Sequence, residues 1–173
     1  MMTFSQPTWL DRAAYPFTHR SLALPEGRLH YVDEGPADAA EVLVLVHGTP
    51  TWSFEYRHLI RALRPTHRVI ALDHLGFGLS ERPPAADYRP EAHARRFAGF
   101  IAALGLPRFT LVTHDFGGPI ALPLAAAHPE QLAGLVLFNT WLAPFTDPAM
   151  LRRARFAAGR LGRFLYRHLN ASL

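Results

Sequence analysis

Cysteine and lysine do not occur anywhere in the 173 residues of this chain. Without cysteine, the chain cannot form disulfides, thiolate metal sites or a cysteine nucleophile. Without lysine, it cannot supply a P-loop lysine, a Schiff base or a lysine anchor for a cofactor. The residues that remain for nucleophilic chemistry are serine, threonine, aspartate, glutamate and ten histidines.

Long apolar runs are also missing. No stretch approaches the 18 or so uninterrupted apolar residues of a spanning helix, so the sequence predicts no membrane segment. Residues 1–17 lack a charged start followed by an apolar run, which argues against a secretory signal. We therefore expect a cytoplasmic protein with a single core.

The net charge of +4 is unevenly distributed. Residues 1–148 contain 12 arginines and all 14 acidic residues, whereas residues 149–173 contain six arginines and no acid. The body of the chain is not basic, so we expect no nucleic-acid partner for it. The basic tail leaves open an association with an anionic membrane or nucleic acid, although packing of one helix face with solvated arginines explains the same pattern.

Apolar runs typical of buried strands alternate with helical patterns, which predicts an α/β protein with a parallel sheet. The strands are predicted at 28–33, 41–46, 68–72, 109–113 and 132–138, and the helices at 90–104 and 119–128. A further helix follows residue 50, with Ser53 as its N-cap. The first 27 residues show no clear period and are interpreted as an arm. The tail predicts one amphipathic helix that begins at Asp147-Pro148 and is kinked near Gly159 and Gly162.

The most informative segment is Thr113–Gly117, where a buried strand runs directly into a helix. Its pattern, with a small residue at each end and Asp115 in the middle, is that of a nucleophile elbow. A carboxylate is nucleophilic at neutral pH, and it displaces leaving groups from saturated carbon to give an alkyl-enzyme ester. Water must then cleave that ester, which requires a base. The alternative is that Asp115 is a solvated turn residue or a helix cap.

Five segments of residues 28–148 together resemble the haloalkane dehalogenase-like α/β-hydrolases that use an aspartate nucleophile. These segments are LVLVHGTPTWSFEYRHLI, RVIALDHLGFGLSERP, YRPEAHARRF, FTLVTHDFGGPIAL and LVLFNTWLAPFTDP. The resemblance implies an α/β-hydrolase sheet with flanking helices and a small apolar organic substrate. It implies no cofactor and no metal, and a metal pair at Asp73-His74 is not expected.

The resemblance also assigns roles to individual residues. Asp115 would attack a carbon–halogen or similar bond, and the backbone N–H groups of Thr49 and Phe116 would form the oxyanion hole. His47 would hold its loop in place rather than take part in catalysis. Trp52 would either line the substrate pocket or pack beneath the first helix.

Two positions depart from the family pattern. The dehalogenases usually have tryptophan after the nucleophile and often asparagine or glutamate after the His-Gly pair, where this chain has Phe116 and Thr49. A phenylalanine ring has no N–H to hold a halide, which would leave that task to the Thr49 hydroxyl, a tryptophan of the pocket or a residue not present. An epoxide hydrolase-like activity therefore stays open as an alternative. Tyr166 alone cannot be assigned the leaving-oxygen role of the epoxide hydrolase tyrosines.

The triad acid and histidine of the family are not recognised in this chain. In the family the acid follows a later strand or, in some members, the strand equivalent to Leu135–Phe138, where this chain has Asn139-Thr140 and no carboxylate. The family histidine follows further strands, and no strand pattern follows Phe138. Residues 1–146 would then be the N-terminal part of the core, and residues 147–173 the start of a helical cap, in a C-terminally truncated member. His114 should point away from its neighbour Asp115, and His168 lies on the tail. We therefore expect no complete turnover by this chain alone, with a non-catalytic truncated member as an alternative and self-association through the uncovered sheet edge as a further possibility.

Overall fold

A computed structural model describes residues 7–141 and 147–169. These residues fall into two compact units, Met1–Leu142 and Ala143–Leu173. The first unit is built on a six-stranded sheet, and the second consists of two helices. Among the described residues, we find no helix with the length and hydropathy needed to cross a bilayer.

The sheet is mixed, with strand order β1-β2-β4-β3-β5-β6. Its strands are β1 (His19–Leu24), β2 (Gly27–Glu34), β3 (Val42–Val46), β4 (Arg68–Leu72), β5 (Phe109–His114) and β6 (Leu132–Phe138). Strands β4, β3, β5 and β6 run parallel, whereas β1 and β2 are antiparallel to their neighbours.

The prediction of a parallel sheet with residues 1–27 as an arm was therefore wrong at one edge. Strand β1 lies within that arm and pairs with β2 along its whole length through a tight connection. No residue of β1 is fully buried, and only Leu22 and Leu24 pack partly against the core, so the alternation along this strand is weak. The strand is held by its pairing with β2, which the local pattern does not reveal.

The helices of the first unit are α1 (Arg57–Leu63), α2 (Pro90–Leu104) and α3 (Gly117–Ala127), and short 3-10 turns precede α1 and follow α3. The predicted N-cap role of Ser53 was wrong. Ser53 is buried in the first of these turns, and its hydroxyl lies 2.6 Å from the hydroxyl of Tyr15. Because that hydroxyl already has a buried partner 38 residues away, it does not cap the helix.

Hydrophobic residues cover both faces of the sheet. Along β3, Val44 and Val46 join a core formed with α2 and α3, while Leu43 and Leu45 join the opposite core with α1 and the N-terminal segment. Successive side chains of a strand point to opposite faces, so a strand between two cores must be apolar throughout. Each fully buried valine or leucine contributes about 1.5–3 kcal/mol relative to an exposed one. This packing fixes the carboxyl ends of β3 and β5 side by side.

Strand β6 is the edge strand next to β5. Its last four residues, Leu135, Val136, Leu137 and Phe138, are 45%, 40%, 47% and 48% exposed. Consecutive residues of a strand lie on opposite faces, so both faces of β6 are open. In the described part of the chain, β6 pairs with β5 alone.

The second unit contains α4 (Pro148–Ala158) and α5 (Arg160–Leu169). The Asp147 carboxylate caps α4 as the sequence predicts, accepting a hydrogen bond from the Ala149 N–H at 2.9 Å. The predicted single kinked helix is instead interrupted at Gly159, whose extended backbone separates the two helices.

Candidate active site

Asp115 lies at the sharp turn between β5 and α3, with a φ of 48°. Residues with a side chain seldom adopt this conformation, and proteins retain it mainly at functional sites. Two hydrogen bonds to the Asp115 carbonyl stabilise the turn, one from the Thr140 hydroxyl at 2.6 Å and one from the Gly118 N–H at 3.2 Å. The elbow predicted from the sequence pattern is thus present as a backbone geometry.

Three glycines allow the close packing around this turn. A Cβ at Gly48 would collide with the Cβ of Asp115, one at Gly117 with the carbonyl of Val46, and one at Gly118 with the hydroxyl of Thr140. Two of these three contacts, Gly48 with Asp115 and Gly117 with Val46, join the end of β3 and the residues after it to the turn after β5. The requirement for small residues therefore comes from the contact between these two segments and not from the turn alone.

The Asp115 carboxylate is held at one of its two oxygens. Its Oδ2 accepts a hydrogen bond from the Thr49 N–H at 2.9 Å. Within residues 7–141 and 147–169 no hydrogen bond engages Oδ1, and the Phe116 N–H makes none to the carboxylate. The carboxylate also lies at the N-terminus of α3, where the helix dipole stabilises negative charge. One oxygen is therefore fixed, while the other has no hydrogen-bond partner among the described residues.

The Phe116 ring, on the residue after Asp115, packs edge-to-face against Trp141 with the ring centroids 4.9 Å apart. Trp141 was not singled out from the sequence. The available signal is positional, because Trp141 closely follows β6, and the carboxyl ends of adjacent parallel strands meet at the same edge of a sheet. Phe116 and Trp141 thus pack together next to the turn that carries Asp115.

His47 is buried, and both of its ring nitrogens are engaged. Its Nδ1–H donates to the Gly48 carbonyl at 2.8 Å, and its Nε2 accepts from the His74 N–H at 2.9 Å. This pair of bonds requires the neutral ring, and burial lowers the pKa of His47 accordingly. These contacts fit the expected role of His47 in holding its loop.

Trp52 lies in an aromatic cluster. Its ring stacks on Phe54 with the centroids 5.2 Å apart and also contacts Tyr15 at 5.1 Å and Trp9 at 6.1 Å. These contacts fit the alternative of a packed aromatic near the first helix. A part for Trp52 in substrate binding stays a prediction.

The imidazole of His114 points towards Glu55, with Nδ1 3.4 Å from Glu55 Oε2. This direction agrees with the alternation of side chains along β5, which turns His114 away from the nucleophile. In the part of the chain that the structure describes, no histidine hydrogen-bonds to the Asp115 carboxylate. The side chain of His168 lies outside the described residues.

Asp73 is a buried structural carboxylate. It accepts hydrogen bonds from the backbone N–H groups of Ser53 and Leu79 and lies 2.9 Å from His30 Nδ1. Burial by itself would raise its pKa, but the bond from His30, the nearby histidines and the Leu79 N–H together lower it. Among the described residues, we find no group of three or more histidine, aspartate or glutamate side chains arranged to hold a metal ion.

The sequence profile of the alpha/beta hydrolase fold family matches residues 41–172. Haloalkane dehalogenase 2 of Mycobacterium tuberculosis H37Rv is 45% identical over 140 residues, which are 81% of this chain and 48% of that protein. The cis-3-alkyl-4-alkyloxetan-2-one decarboxylase of Shewanella oneidensis MR-1 is 38% identical over 161 residues, with coverages of 90% and 50%. The chain thus spans about half the length of the curated relatives it matches.

Two solved structures show the same similarity in three dimensions. The haloalkane dehalogenase DatA of Agrobacterium tumefaciens C58 superposes with a TM-score of 0.79 at 26% identity, covering 93% of this chain and 56% of that one. A structure from a study of novel epoxide hydrolases in metagenomes from hot environments gives a TM-score of 0.65 at 35% identity, with coverages of 72% and 42%. The similarity to haloalkane dehalogenases was expected from the sequence motifs and is confirmed.

Proposed function

Because the chain belongs to the alpha/beta hydrolase fold family, we propose that Asp115 is the nucleophile of a displacement on a small apolar organic substrate. One observation carries this proposal. Asp115 has a φ of 48° between β5 and α3, and a backbone N–H holds one carboxylate oxygen while the other is unengaged in the described residues. A solvated turn residue would not need the close packing of this turn, in which Gly48 lies against the Asp115 side chain and Gly117 and Gly118 lie against Val46 and Thr140.

In the proposed step, Asp115 Oδ1 attacks a saturated carbon of the substrate. A new C–O bond forms as the carbon–halogen bond breaks, and the halide leaves with the electron pair. The product is an alkyl ester of Asp115. Phe116 and Trp141 support an apolar alkyl chain in this arrangement, because their rings pack together beside the turn.

In the second step, water adds to the ester carbonyl and charge develops on its oxygen. The Thr49 N–H already donates to Oδ2, which is the ester's carbonyl oxygen if Oδ1 attacks. We assign Thr49 and Phe116 as the two oxyanion donors, and the Phe116 N–H would engage as negative charge builds up. The pair would stabilise the tetrahedral intermediate.

Ester hydrolysis also needs a base to activate the water. Of the described histidines near the turn, His47 has both nitrogens engaged and His114 faces Glu55. We therefore propose that the alkyl ester accumulates on this chain instead of turning over. The chain on its own would act as a stoichiometric acceptor.

The residue after the nucleophile bears on the choice of leaving group. Phe116 has no ring N–H to hold a halide, whereas ring opening of an epoxide leaves an alkoxide that needs a different donor. This substitution, together with the likeness to a structure from the epoxide hydrolase study, makes epoxides the second candidate substrate class. The attack by Asp115 would be the same in both reactions.

Intact mass spectrometry of the full chain after incubation with 1-bromohexane or 1,2-epoxyhexane tests the proposal. We expect a stable hexyl adduct that maps to Asp115 with the bromide, and a hydroxyhexyl adduct if epoxides are accepted. Asp115→Asn should abolish the adduct, whereas Asp38→Asn, at an exposed turn, should leave it unchanged. A cooperatively folded protein that stays unmodified by both probes would favour the non-catalytic family member.

A further inference from the structure

The Gly48–Thr49 peptide group receives hydrogen bonds at one end and donates one at the other. Its carbonyl accepts from His47 Nδ1–H at 2.8 Å and from the Thr51 hydroxyl at 3.1 Å. Its N–H belongs to Thr49 and donates to Asp115 Oδ2 at 2.9 Å. The three bonds therefore act on a single planar unit, which rotates only as a whole.

Hydrogen bonds that are linked through one peptide group in this way strengthen one another. Donors at the carbonyl polarise the peptide and make its N–H a stronger donor, and they also fix the plane in which that N–H points. The same peptide lies against Asp115, because even a Cβ on Gly48 would collide with the aspartate. Small rotations of this peptide would therefore change the distance to the carboxylate directly.

We propose that Thr51 is a positioning residue, whose hydroxyl orients and polarises the Gly48–Thr49 peptide so that the Thr49 N–H points at Asp115 Oδ2. This proposal deepens the proposed function, since it names a residue that acts on the nucleophile without touching the substrate. The orientation of the peptide is nevertheless measurable without any substrate.

Glu55 competes for the single proton of the Thr51 hydroxyl. Its Oε2 contacts Thr51 Oγ1, and its Oε1 is buried without a hydrogen-bond partner in the described part of the chain. A hydroxyl has one proton and here faces two acceptors, the Gly48 carbonyl and the Glu55 carboxylate. If a hydrogen-bond donor stood in place of the Glu55 carboxylate, the Thr51 hydroxyl would donate its proton to the Gly48 carbonyl alone.

Two substitutions at position 51 separate the hydroxyl from the side-chain shape. Thr51→Val keeps the branched shape and removes the hydroxyl, whereas Thr51→Ser keeps the hydroxyl. In the ¹⁵N-labelled full chain, we expect Thr51→Val to move the Thr49 amide proton upfield and Thr51→Ser to restore it. Thr66→Val is the matched control, because the exposed Thr66 hydroxyl contacts the Leu63 carbonyl and the His67 ring, both remote in sequence from the Gly48–Thr49 peptide.

Alkylation by 1-bromohexane provides a second readout. We expect Thr51→Val to lower the rate constant at saturation by about three- to tenfold, with the half-saturating concentration unchanged, because the Asp115 carboxylate loses the fixed N–H that sets its orientation for attack. The folded fraction of each variant, measured by circular dichroism, corrects its rate constant, so a partly unfolded variant still gives an answer. A Thr51→Val variant with the wild-type amide shift and the wild-type rate would overturn the proposal.

Glu55→Gln tests the competition. The glutamine amide can donate to Thr51 Oγ1, which commits the hydroxyl proton to the Gly48 carbonyl. We expect an alkylation rate at or above that of the wild type, and a loss as large as that of Thr51→Val would contradict the assignment. If the wild type is not alkylated but the Thr49 amide still responds to Thr51→Val, the proposed function fails and the positioning role stands.

Discussion

The backbone at Asp115 combines a strained conformation with close packing. A φ of 48° costs roughly 1–3 kcal/mol for a residue with a side chain, and neighbouring groups must hold it in place. Here the Thr140 hydroxyl and the Gly118 N–H hold the Asp115 carbonyl, while Thr49 holds the carboxylate. The sequence pattern predicted the turn because small residues flank Asp115. It could not predict Thr140, because that contact depends on where β6 ends.

Replacing Gly117 with alanine should destabilise the fold. The new Cβ would collide with the backbone carbonyl of Val46, which cannot move without disturbing the pairing of β3. We expect a loss of about 1–3 kcal/mol in the free energy of unfolding, measured by urea denaturation. Gly99→Ala, within α2, is the matched control, because the atom nearest to the new Cβ is a side-chain carbon of Leu24 at 3.8 Å. That variant should gain up to about 1 kcal/mol. Equal effects of the two changes would contradict this account.

Two histidines, the partly buried His19 and the buried His93, should make the fold less stable in acid. Burial, followed by nearby positive charge, lowers the pKa of His19 and of His93 from 6.5 to about 4. The unfolded chain therefore binds more protons than the folded chain between these values. Stability should be constant above pH 6.5 and should fall as the pH drops towards 4.

Urea midpoints at pH 7.5, 5.5 and 4.5 check this expectation. His93→Gln should reduce the loss between the first and last pH, because one of the groups with a lowered pKa is gone. His58→Gln, on the exposed face of α1, should leave the slope as it is. A wild-type midpoint that does not move with pH would show that the histidines do not couple to folding.

At the scale of elements, the sequence predicted what periodicity and burial determine. The strands β3 to β6 and the helix α2 coincide with the predicted segments or differ by a residue, because each has a clear apolar pattern. Strand β1 and the site of the Ser53 hydroxyl were missed. Both depend on partners distant in the chain, namely β2 and Tyr15, and no local pattern encodes such pairings.

Helix α4 should depend on its cap. Asp147→Ala removes the carboxylate that accepts from the Ala149 N–H, which should cost about 1 kcal/mol of local stability. Hydrogen exchange of the Ala149 amide measures this directly and should become faster. Asp147→Asn keeps an acceptor oxygen and should preserve most of the protection. Unchanged exchange in the alanine variant would mean that the cap contributes little.

At the scale of the whole molecule, the two edges of the sheet differ. The antiparallel pair β1 and β2 forms one edge, and the apolar strand β6 forms the other. An exposed apolar edge strand invites pairing with another chain. The sequence predicted self-association through this edge, and the exposure of residues 135–138 supports that prediction.

Light scattering across a concentration series measures whether the protein self-associates through the edge strand β6. We expect mass to increase with concentration in the wild type, because burying the apolar residues of β6 is favourable. Val136→Lys should suppress the increase, since a lysine on an edge strand opposes pairing. Ala103→Lys adds the same charge on the exposed side of α2 and should have no such effect. Association that persists in Val136→Lys would place the interface elsewhere.

The hydrogen bond from Thr49 to Asp115 joins residues 66 apart in sequence. It exists only when β3 and β5 are paired, because each partner stands at the end of one of these strands. An ensemble in which that pairing has not formed would present Asp115 as an ordinary solvated carboxylate. Alkylation of Asp115 would then report on folding, because each modified molecule must already have paired β3 with β5. The fraction of modified molecules over time would follow the assembly of the centre of the sheet.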